Sequence, residues 1–138
     1  VRDVTITNND FQAPCLSSNY QFCEAIISIM PEIPKLDPRA PAYHRNISIT
    51  QNSFHPFDYP LLFALSVDGL DFSNNTLERS TLFTPFHARK SGLSFIACKR
   101  VTVSRNQVIG DVLGKSISLE KMPRSAINLK GENFFRLP

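Results

Sequence analysis

The stretch GLDFSNNTL (residues 69–77) carries a pattern that recurs along the chain. The pattern reads apolar, any residue, apolar, Ser or Thr, any residue, Asn, any residue, apolar. It is also present in VTITNNDF (4–11), NISITQNSF (46–54) and RVTVSRNQV (100–108), and SAINLKGENFF (125–135) matches it loosely. An internal repeat of this kind is typical of solenoid proteins, which stack one structural unit on the next.

Apolar and polar residues alternate at the start of each repeat, as in Leu70 to Phe72 and Val101 to Val103. A period of two that is rich in β-branched residues predicts short strands, of about three residues each, with one buried face. The sixth position of the pattern is Asn, directly after this strand. We expect the chain to turn there, because Asn tolerates the left-handed conformation and its amide can bond nearby backbone.

A second apolar strand precedes the pattern in the same frame. LLFALSVDGL (61–70) and LSFIACKRV (93–101) align residue for residue, so that Leu62 matches Leu93 and Ala64 matches Phe95. EAIISI (24–29) and SISL (116–119) are the equivalent strands of the flanking repeats. Each repeat is therefore predicted to form one rung: strand, tight turn, strand, Asn turn, strand and a longer loop. The predicted fold is all-β, a right-handed single-stranded parallel β-helix of about five rungs.

The repeats begin at Val4, Ile47, Leu70, Val101 and Ile127, so their spacing varies between 23 and 43 residues. Solenoids tolerate such insertions because each rung contacts only its neighbours. The largest insertion, residues 30–45, contains four prolines and is predicted to be a loop. We expect residues 1–138 to form one β-helix domain belonging to a longer solenoid.

Leucine-rich repeats are the alternative fold, because VDGLDFSNNTL (67–77) also satisfies their pattern. Those repeats keep a nearly constant period and usually place a helix on the convex side. Here the period varies and no segment between strands has helical periodicity, which favours the β-helix.

The asparagines at the sixth position of the pattern are predicted to form a ladder. We expect them to stack in a buried column along one corner of the solenoid, each amide bonding backbone in the next rung. The four residues are Asn9, Asn52, Asn75 and Asn106.

Composition excludes several classes of function. The 15 basic and 12 acidic residues are interspersed and give a net charge of only +3, which argues against a nucleic-acid partner. The sequence has no apolar run of about 18 residues, so no membrane span is expected. Three His and three Cys lack metal-ligand spacing, and we expect no metal or other cofactor. Whether Cys15 and Cys23 pair is left open; Cys98 is expected to be buried.

Four segments together resemble one enzyme family: FCEAIISIMPEIPKLD (22–37), YHRNISITQNSF (43–54), FDYPLLFALSVDGLDFSNNTLERS (57–80) and HARKSGLSFIACKRVTVSRNQV (87–108). They are similar to the C-terminal part of glycoside hydrolase family 110, exo-acting α-1,3-galactosidases of the pectin-lyase-like β-helix fold. The resemblance implies inverting hydrolysis of oligosaccharides with terminal α-galactose, and a periplasmic or secreted location. It also implies catalytic carboxylates on upstream rungs, so the isolated chain is expected to be inactive.

Inverting hydrolysis needs two carboxyl groups about 6.5–9.5 Å apart. The predicted outer face of the EAIISI-type strands offers one acid, Glu24, whereas Phe63, Leu65 and Ile96 suit a covered surface. Asp68 is interpreted as a turn residue beside Gly69. The candidate substrate-binding residues lie in that strand, in the Pro-rich insertion and in a loop: Glu24, Glu32, Tyr43, His44, Arg45 and Asp58.

Two function classes follow. The first is part of an α-1,3-galactosidase in which this region is mainly scaffold. The alternative is a non-catalytic carbohydrate-binding or structural β-helix. An open solenoid end exposes apolar core and unpaired backbone, so we also expect self-association. The open end would contribute Val4, Ile6 and Phe11 to one contact. The outer face would contribute Phe63, Leu65 and Ile96 to another.

Overall fold

The computed structural model describes residues 1–12, 24–55, 60–80, 91–110, 116–131 and 133–138. This part of the chain contains thirteen β-strands and a short 3-10 helix at Arg124–Ala126. The strands are β1 Arg2–Thr7, β2 Asp10–Gln12, β3 Ile27–Ile29, β4 His44–Thr50, β5 Ser53–His55, β6 Leu62–Leu65, β7 Val67–Ser73, β8 Thr76–Glu78, β9 Ser91–Ile96, β10 Lys99–Ser104, β11 Gln107–Ile109, β12 Ser116–Glu120 and β13 Ile127–Lys130.

The strands form three parallel sheets. Sheet 1 has the order β1-β4-β7-β10-β13, sheet 2 the order β2-β5-β8-β11 and sheet 3 the order β3-β6-β9-β12. Every neighbouring pair within a sheet is parallel. The chain visits sheets 3, 1 and 2 in turn and then starts the next rung, which confirms the parallel β-helix. Because the connections in the described segments contain no α-helix, the leucine-rich-repeat alternative is wrong.

The register of sheet 3 is the one that the sequence predicts. Leu62 lies opposite Leu93, and Ala64 lies opposite Phe95. All four side chains are buried. The small Ala64 beneath the large Phe95 keeps the volume of the core filled from rung to rung.

An aromatic column fills the core beside the Asn turn. The rings of Phe11 and Phe54 are stacked with centroids 4.9 Å apart, and Phe54 contacts Phe72 at 5.8 Å. Phe54 and Phe72 are fully buried. These large rings, stacked along the solenoid axis, bury apolar surface area that the short strands would not bury with smaller side chains.

The template asparagines lie in one column. The Oδ1 atoms of Asn52, Asn75 and Asn106 each accept a hydrogen bond from the backbone N–H of the asparagine one rung earlier, at 3.0 Å in all three cases. Their Nδ2 atoms donate to backbone carbonyls of the same earlier rung. The expected direction was therefore wrong, because the amides bond the preceding rung. These three asparagines are buried, whereas Asn9 in the first rung is exposed.

The left-handed residue of the Asn turn is the one before each ladder asparagine, not the asparagine itself. Asn8, Gln51, Asn74 and Arg105 have φ between 50° and 57°. A left-handed residue at this point turns the chain by itself, which frees the following side chain to point inward and bond backbone. The position can be Gln or Arg because its side chain faces solvent; all four are exposed.

Two predicted strand boundaries are corrected. The strands of sheet 1 reach seven residues in β4 and β7, because a left-handed residue inside each strand bends it without ending it. The strand predicted from Glu24 begins instead at Ile27, since the Ser28 hydroxyl bonds the backbone of Ala25 and holds a bend there. Asp68 also lies within β7 rather than in a turn; the turn before it is made by Ser66, with φ 57°.

The last residues add to the rung stack. The Asn133 amide donates to the carbonyl of Val103 at 2.6 Å, which extends the asparagine ladder by a member that the sequence pattern missed. Phe135 is buried and meets Phe72 edge to face at 6.0 Å. The backbone N–H of Ile117 donates to the carbonyl of Arg136, so this segment lies beside β12 in sheet 3.

Candidate functional site

A column of left-handed residues runs across sheet 1. Asp3, Asn46, Gly69 and Arg100 have φ of 58°, 53°, 84° and 49° and occupy the same place in four successive strands. The residues before and after each of them pair with the neighbouring strands, but the left-handed residue itself has no place in that register. Because each strand skips one residue at the same place, the register continues unchanged on both sides, and the left-handed residues bend the four strands together.

Beside this column lies a cleft of about 320 Å³ on the outer surface of β4, β7 and β10. Ser48, Asp71 and Thr102 lie opposite one another on the three strands. They form the cleft with the side chains of Asn46 and Arg100. Gly69 and the strand residues Ile47 and Leu70 complete the lining.

Gly69 keeps the cleft open. A Cβ atom at this position would lie 3.0 Å from Oδ1 of Asn46 and 3.6 Å from Nη2 of Arg100. The first distance is shorter than a normal contact, so the side chain of Asn46 would have to move. The φ angle of Gly69, 84°, also suits glycine better than any other residue. The absent side chain therefore makes space between two polar groups.

Two of the polar groups around the cleft are held by partners at its edge. Nε of Arg100 donates to Oδ1 of Asp68 at 2.7 Å, in an ion pair whose Arg side chain is 71% exposed. Nδ2 of Asn46 donates to Oδ1 of Asp3 at 3.0 Å. These bonds orient the Arg100 guanidinium and the free Oδ1 of Asn46 relative to the cleft.

Asp71 is different from the other lining residues. Its Oδ1 atom is buried and has no hydrogen-bond partner among the described residues. A buried polar atom without a partner is costly, because it has given up water without gaining a protein donor. Among the described residues, Asp71 is the one acid in the lining. Hydrolysis by inversion needs two carboxyl groups.

Five of the six residues expected to bind substrate are described, and these five lie outside this lining. Glu24 and Glu32 are exposed, at the bend before β3 and in the Pro-rich insertion. Tyr43 is 53% exposed, and its backbone N–H donates to Oγ of Ser66. Arg45 is exposed on β4, opposite Asp68. Asp58 lies outside the described residues.

His44 lines a different, apolar groove of about 310 Å³ together with Val4, Ile29 and Met30. Its Nδ1 atom is buried without a partner. Burial, assisted by the positive charge of the Val1 amino group, lowers the pKa of His44 below its ordinary value of 6.5. The neutral imidazole is therefore favoured. The groove around it offers mainly apolar contacts, with few groups that could bond the hydroxyls of a sugar.

The Pro-rich insertion reaches across to later rungs. Between β3 and β4 it covers residues 30–43. The Lys99 ammonium donates to the carbonyl of Ala40 at 3.2 Å, so the insertion contacts the start of β10. The insertion is thus held against the corner between sheets 3 and 1.

Part of the cleft has a signal in the sequence. The second position of the repeat is polar in the first four rungs, namely Thr5, Ser48, Asp71 and Thr102. Adjacent parallel strands place such residues on one face. Asn46 and Arg100 had no comparable signal, because the alternating pattern of a strand does not indicate a left-handed residue inside it.

The described residues offer no other reactive centre. Burial raises the pKa of the Cys98 thiol, whose sulfur lies 3.3 Å from the carbonyl oxygen of Ala64. Cys15 and Cys23 lie outside the described residues. In the same part of the chain, His, Cys, Asp and Glu do not gather in a group of three that could hold a metal. No helix found there has the length and apolarity to span a membrane.

No protein-family model matches the chain. Comparison with curated proteins is decisive, because α-1,3-galactosidase B of Bacteroides thetaiotaomicron is 56% identical over 137 residues, which is 99% of this chain. The chain is homologous to a part of the α-1,3-galactosidases. A protein of the same name from Phocaeicola vulgatus is 39% identical over 76% of the chain. The α-1,3-galactosidase A of Bacteroides fragilis is 35% identical over 90% of it. The matched regions are 22%, 18% and 20% of these relatives, so the chain spans about a fifth of their length.

Proposed function

We propose that this chain is a β-helical segment of an inverting glycoside hydrolase of family 110, which removes terminal α-1,3-linked galactose from oligosaccharides. The observation that carries the proposal is the 56% identity to an α-1,3-galactosidase over nearly the whole chain. The parallel β-helix formed by the three sheets is the fold that the family resemblance implies.

In this proposal the segment mainly provides scaffold. The buried asparagine ladder and the continuous apolar core support the stacking of rungs 1 to 5 as a single domain, residues 1–138, with the Pro-rich insertion packed on its surface. The described cleft has one free carboxylate where inversion needs two. The bond-breaking carboxylates therefore belong to other rungs of the longer protein.

A released-sugar assay tests the proposal. The full-length protein should liberate galactose from an oligosaccharide ending in α-1,3-galactose, and much more slowly from α-1,4- or α-1,6-linked ends. The 138-residue chain should liberate none. A full-length protein without activity on the α-1,3 linkage would overturn the proposal, as would turnover by the isolated chain that disappears with Glu24→Gln or Glu32→Gln.

A non-catalytic carbohydrate-binding β-helix is the second candidate. The observation in its favour is the cleft on sheet 1, which combines a single acid with amide and hydroxyl groups. Sugar binding by a full-length protein that releases no galactose would favour this candidate over the first.

We also propose that the isolated chain self-associates. Among the described residues, β3 is the edge strand of sheet 3, and Val4 and Ile6 line an apolar groove beside it. Phe63 and Leu65 on the outer face of sheet 3 are half-buried. Apolar surface and unpaired strand edges favour association with a second copy.

A further inference from the structure

We propose that the cleft between Asn46, Asp71 and Arg100 is a binding subsite for one galactopyranosyl unit. The choice of galactose rests on the proposed function, whereas the expectation of a neutral, hydroxyl-rich ligand rests on the cleft itself. The subsite binds the sugar and takes no part in bond cleavage.

The first argument is the unpartnered carboxylate oxygen. Oδ1 of Asp71 is buried and has no donor among the described residues. A carboxylate accepts strong hydrogen bonds from hydroxyl donors. This oxygen points away from solvent, but Asp71 lines the cleft, so rotation of its carboxylate would turn the oxygen toward a sugar hydroxyl and give it the donor it lacks.

The second argument is the complement of donors and acceptors. The Nε–Asp68 bond leaves the outer nitrogens of Arg100 available, and Nη2 lies near the space that Gly69 leaves open. Since Nδ2 of Asn46 is bonded to Asp3, its Oδ1 is the atom that faces the same space. The hydroxyls of Ser48 and Thr102 can each donate and accept. Sugar hydroxyls also do both, so they match such a mixture.

The mixed charge of the lining argues against an ion. A cation would approach the Arg100 guanidinium, and an anion would approach the Asp71 carboxylate. A neutral ligand avoids both repulsions. The volume of about 320 Å³ is at the lower end for ligand pockets, which suits a single ring rather than an oligosaccharide.

The lining contains no aromatic residue on which a sugar face could stack. A ligand with about twelve heavy atoms, bound by hydrogen bonds in an open cleft, is then expected to have a Kd of about 1 mM. Weak binding of this order suits a subsite whose occupant is covalently part of a longer substrate.

The test is a titration of the ¹⁵N-labelled 138-residue chain with methyl α-D-galactopyranoside, followed by amide chemical shifts. Shifts should change at residues 46–48, 69–71 and 100–102, with a Kd of about 1 mM. Methyl α-D-glucopyranoside, which differs at one hydroxyl, should bind more weakly. No change in these residues at about 20 mM galactoside, twenty times the expected Kd, or tighter binding of the glucoside, would overturn the proposal. Shifts of the same residues on adding Ca²⁺ but not galactoside would also overturn it.

Variants test the assignment of residues. Asp71→Asn keeps the side-chain shape and should weaken binding at least fivefold; Thr102→Val should weaken it less. Asp37→Asn is the matched control, because Asp37 is an exposed acid in the insertion, remote in sequence from the cleft, and should bind galactoside like the unmodified chain. Equal affinity of Asp71→Asn and the unmodified chain would remove Asp71 from the site.

A pair of glycine variants separates blocking of the cleft from strain in the backbone. Gly69→Ala places a Cβ 3.0 Å from Asn46 and should abolish binding. Gly110→Ala introduces the same kind of left-handed strain, at φ 75°, but meets nothing within 4 Å and should bind normally. If Gly69→Ala also binds normally, the cleft is not the site.

The inference and the proposed function can fail separately. Galactose release by the full-length protein with no shifts in the cleft would leave the proposed function intact and overturn the subsite. Cleft shifts in the isolated chain, with no galactose release by the full-length protein, would support the subsite and overturn the proposed function.

Discussion

Oδ1 of Asn106 accepts two hydrogen bonds from Asn75, one from its backbone N–H at 3.0 Å and one from its side-chain amide at 3.1 Å. The same pair of bonds links Asn52 to Asn75, one rung earlier. Each asparagine therefore satisfies backbone groups of the turn before it, in a place where water has no access. The ladder ties neighbouring rungs together at the corner between sheets 1 and 2.

Asn75→Ala is expected to destabilise the chain strongly. The backbone N–H of Asn52 and the carbonyl of Ile49 would both lose their side-chain partner in the interior. Each buried group left without a partner costs about 1–3 kcal/mol. The free energy of unfolding, measured by urea denaturation, should fall by at least that amount.

Asn9→Ala is the matched control. Asn9 is the exposed first member of the ladder, and its amide donates to Thr7 and Asn52. Water can replace those bonds, so the loss should be about 0.5–1.5 kcal/mol, the net value of an ordinary hydrogen bond. Equal losses in Asn9→Ala and Asn75→Ala would mean that burial of the ladder contributes nothing.

The repeat pattern was sufficient to predict the fold, since alternation and a fixed Asn position together define a rung. It could not give the full length of the sheet 1 strands. The skipped left-handed position is Asp3, Asn46, Gly69 or Arg100 in different rungs. Only one of these is glycine, so the residue types do not reveal the bend in these strands.

The fifth ladder member was missed for a similar reason. Asn133 follows the left-handed Gly131 after one extra residue, and this shifts it out of the six-residue frame of the pattern. Only part of the cleft could be predicted from the sequence. Ser48, Asp71 and Thr102 share the second position of the repeat, which the register confirms. Asn46 and Arg100 occupy left-handed positions inside strands, which the repeat pattern does not indicate.

Phe135→Ala is expected to loosen the last rung. Phe135 is buried and meets Phe72 and Phe134. Removing a buried phenyl ring typically costs about 3–5 kcal/mol, because a cavity remains. Urea denaturation should show this loss, while Leu137→Ala, at a half-buried neighbouring position, should lose less. A smaller loss for Phe135→Ala than for Leu137→Ala would contradict the assigned packing.

His44 should make stability depend on pH near neutrality. Its pKa is lowered in the folded chain, so the unfolded chain takes up the proton first as pH falls below 6.5. The contribution of neutral His44 is fully present above pH 6.5 and is lost below it. The melting temperature should fall between pH 7.5 and pH 5.5, and His44→Leu should reduce that fall. An unchanged fall in His44→Leu would exclude His44 as its source.

Self-association should respond to charge placed on either apolar surface. Ile6→Lys should weaken contact through the open end, and Leu65→Lys should weaken contact through the outer face of sheet 3. Burying an unpaired ammonium in an apolar contact is costly, so sedimentation velocity should show a shift toward the monomer. A chain that is monomeric at high concentration before any substitution would rule out both contacts.

The most direct test of the central claim, that this segment supports and binds while the chemistry lies on other rungs, is the steady-state kinetics of full-length Asp71→Asn. With an oligosaccharide ending in α-1,3-galactose, KM should rise several-fold while kcat stays within about tenfold of the unmodified protein, since the lost binding is equal in the ground state and the transition state. A fall in kcat of about a thousandfold or more, in a variant that melts at the same temperature, would place a catalytic carboxylate in this segment and contradict the account.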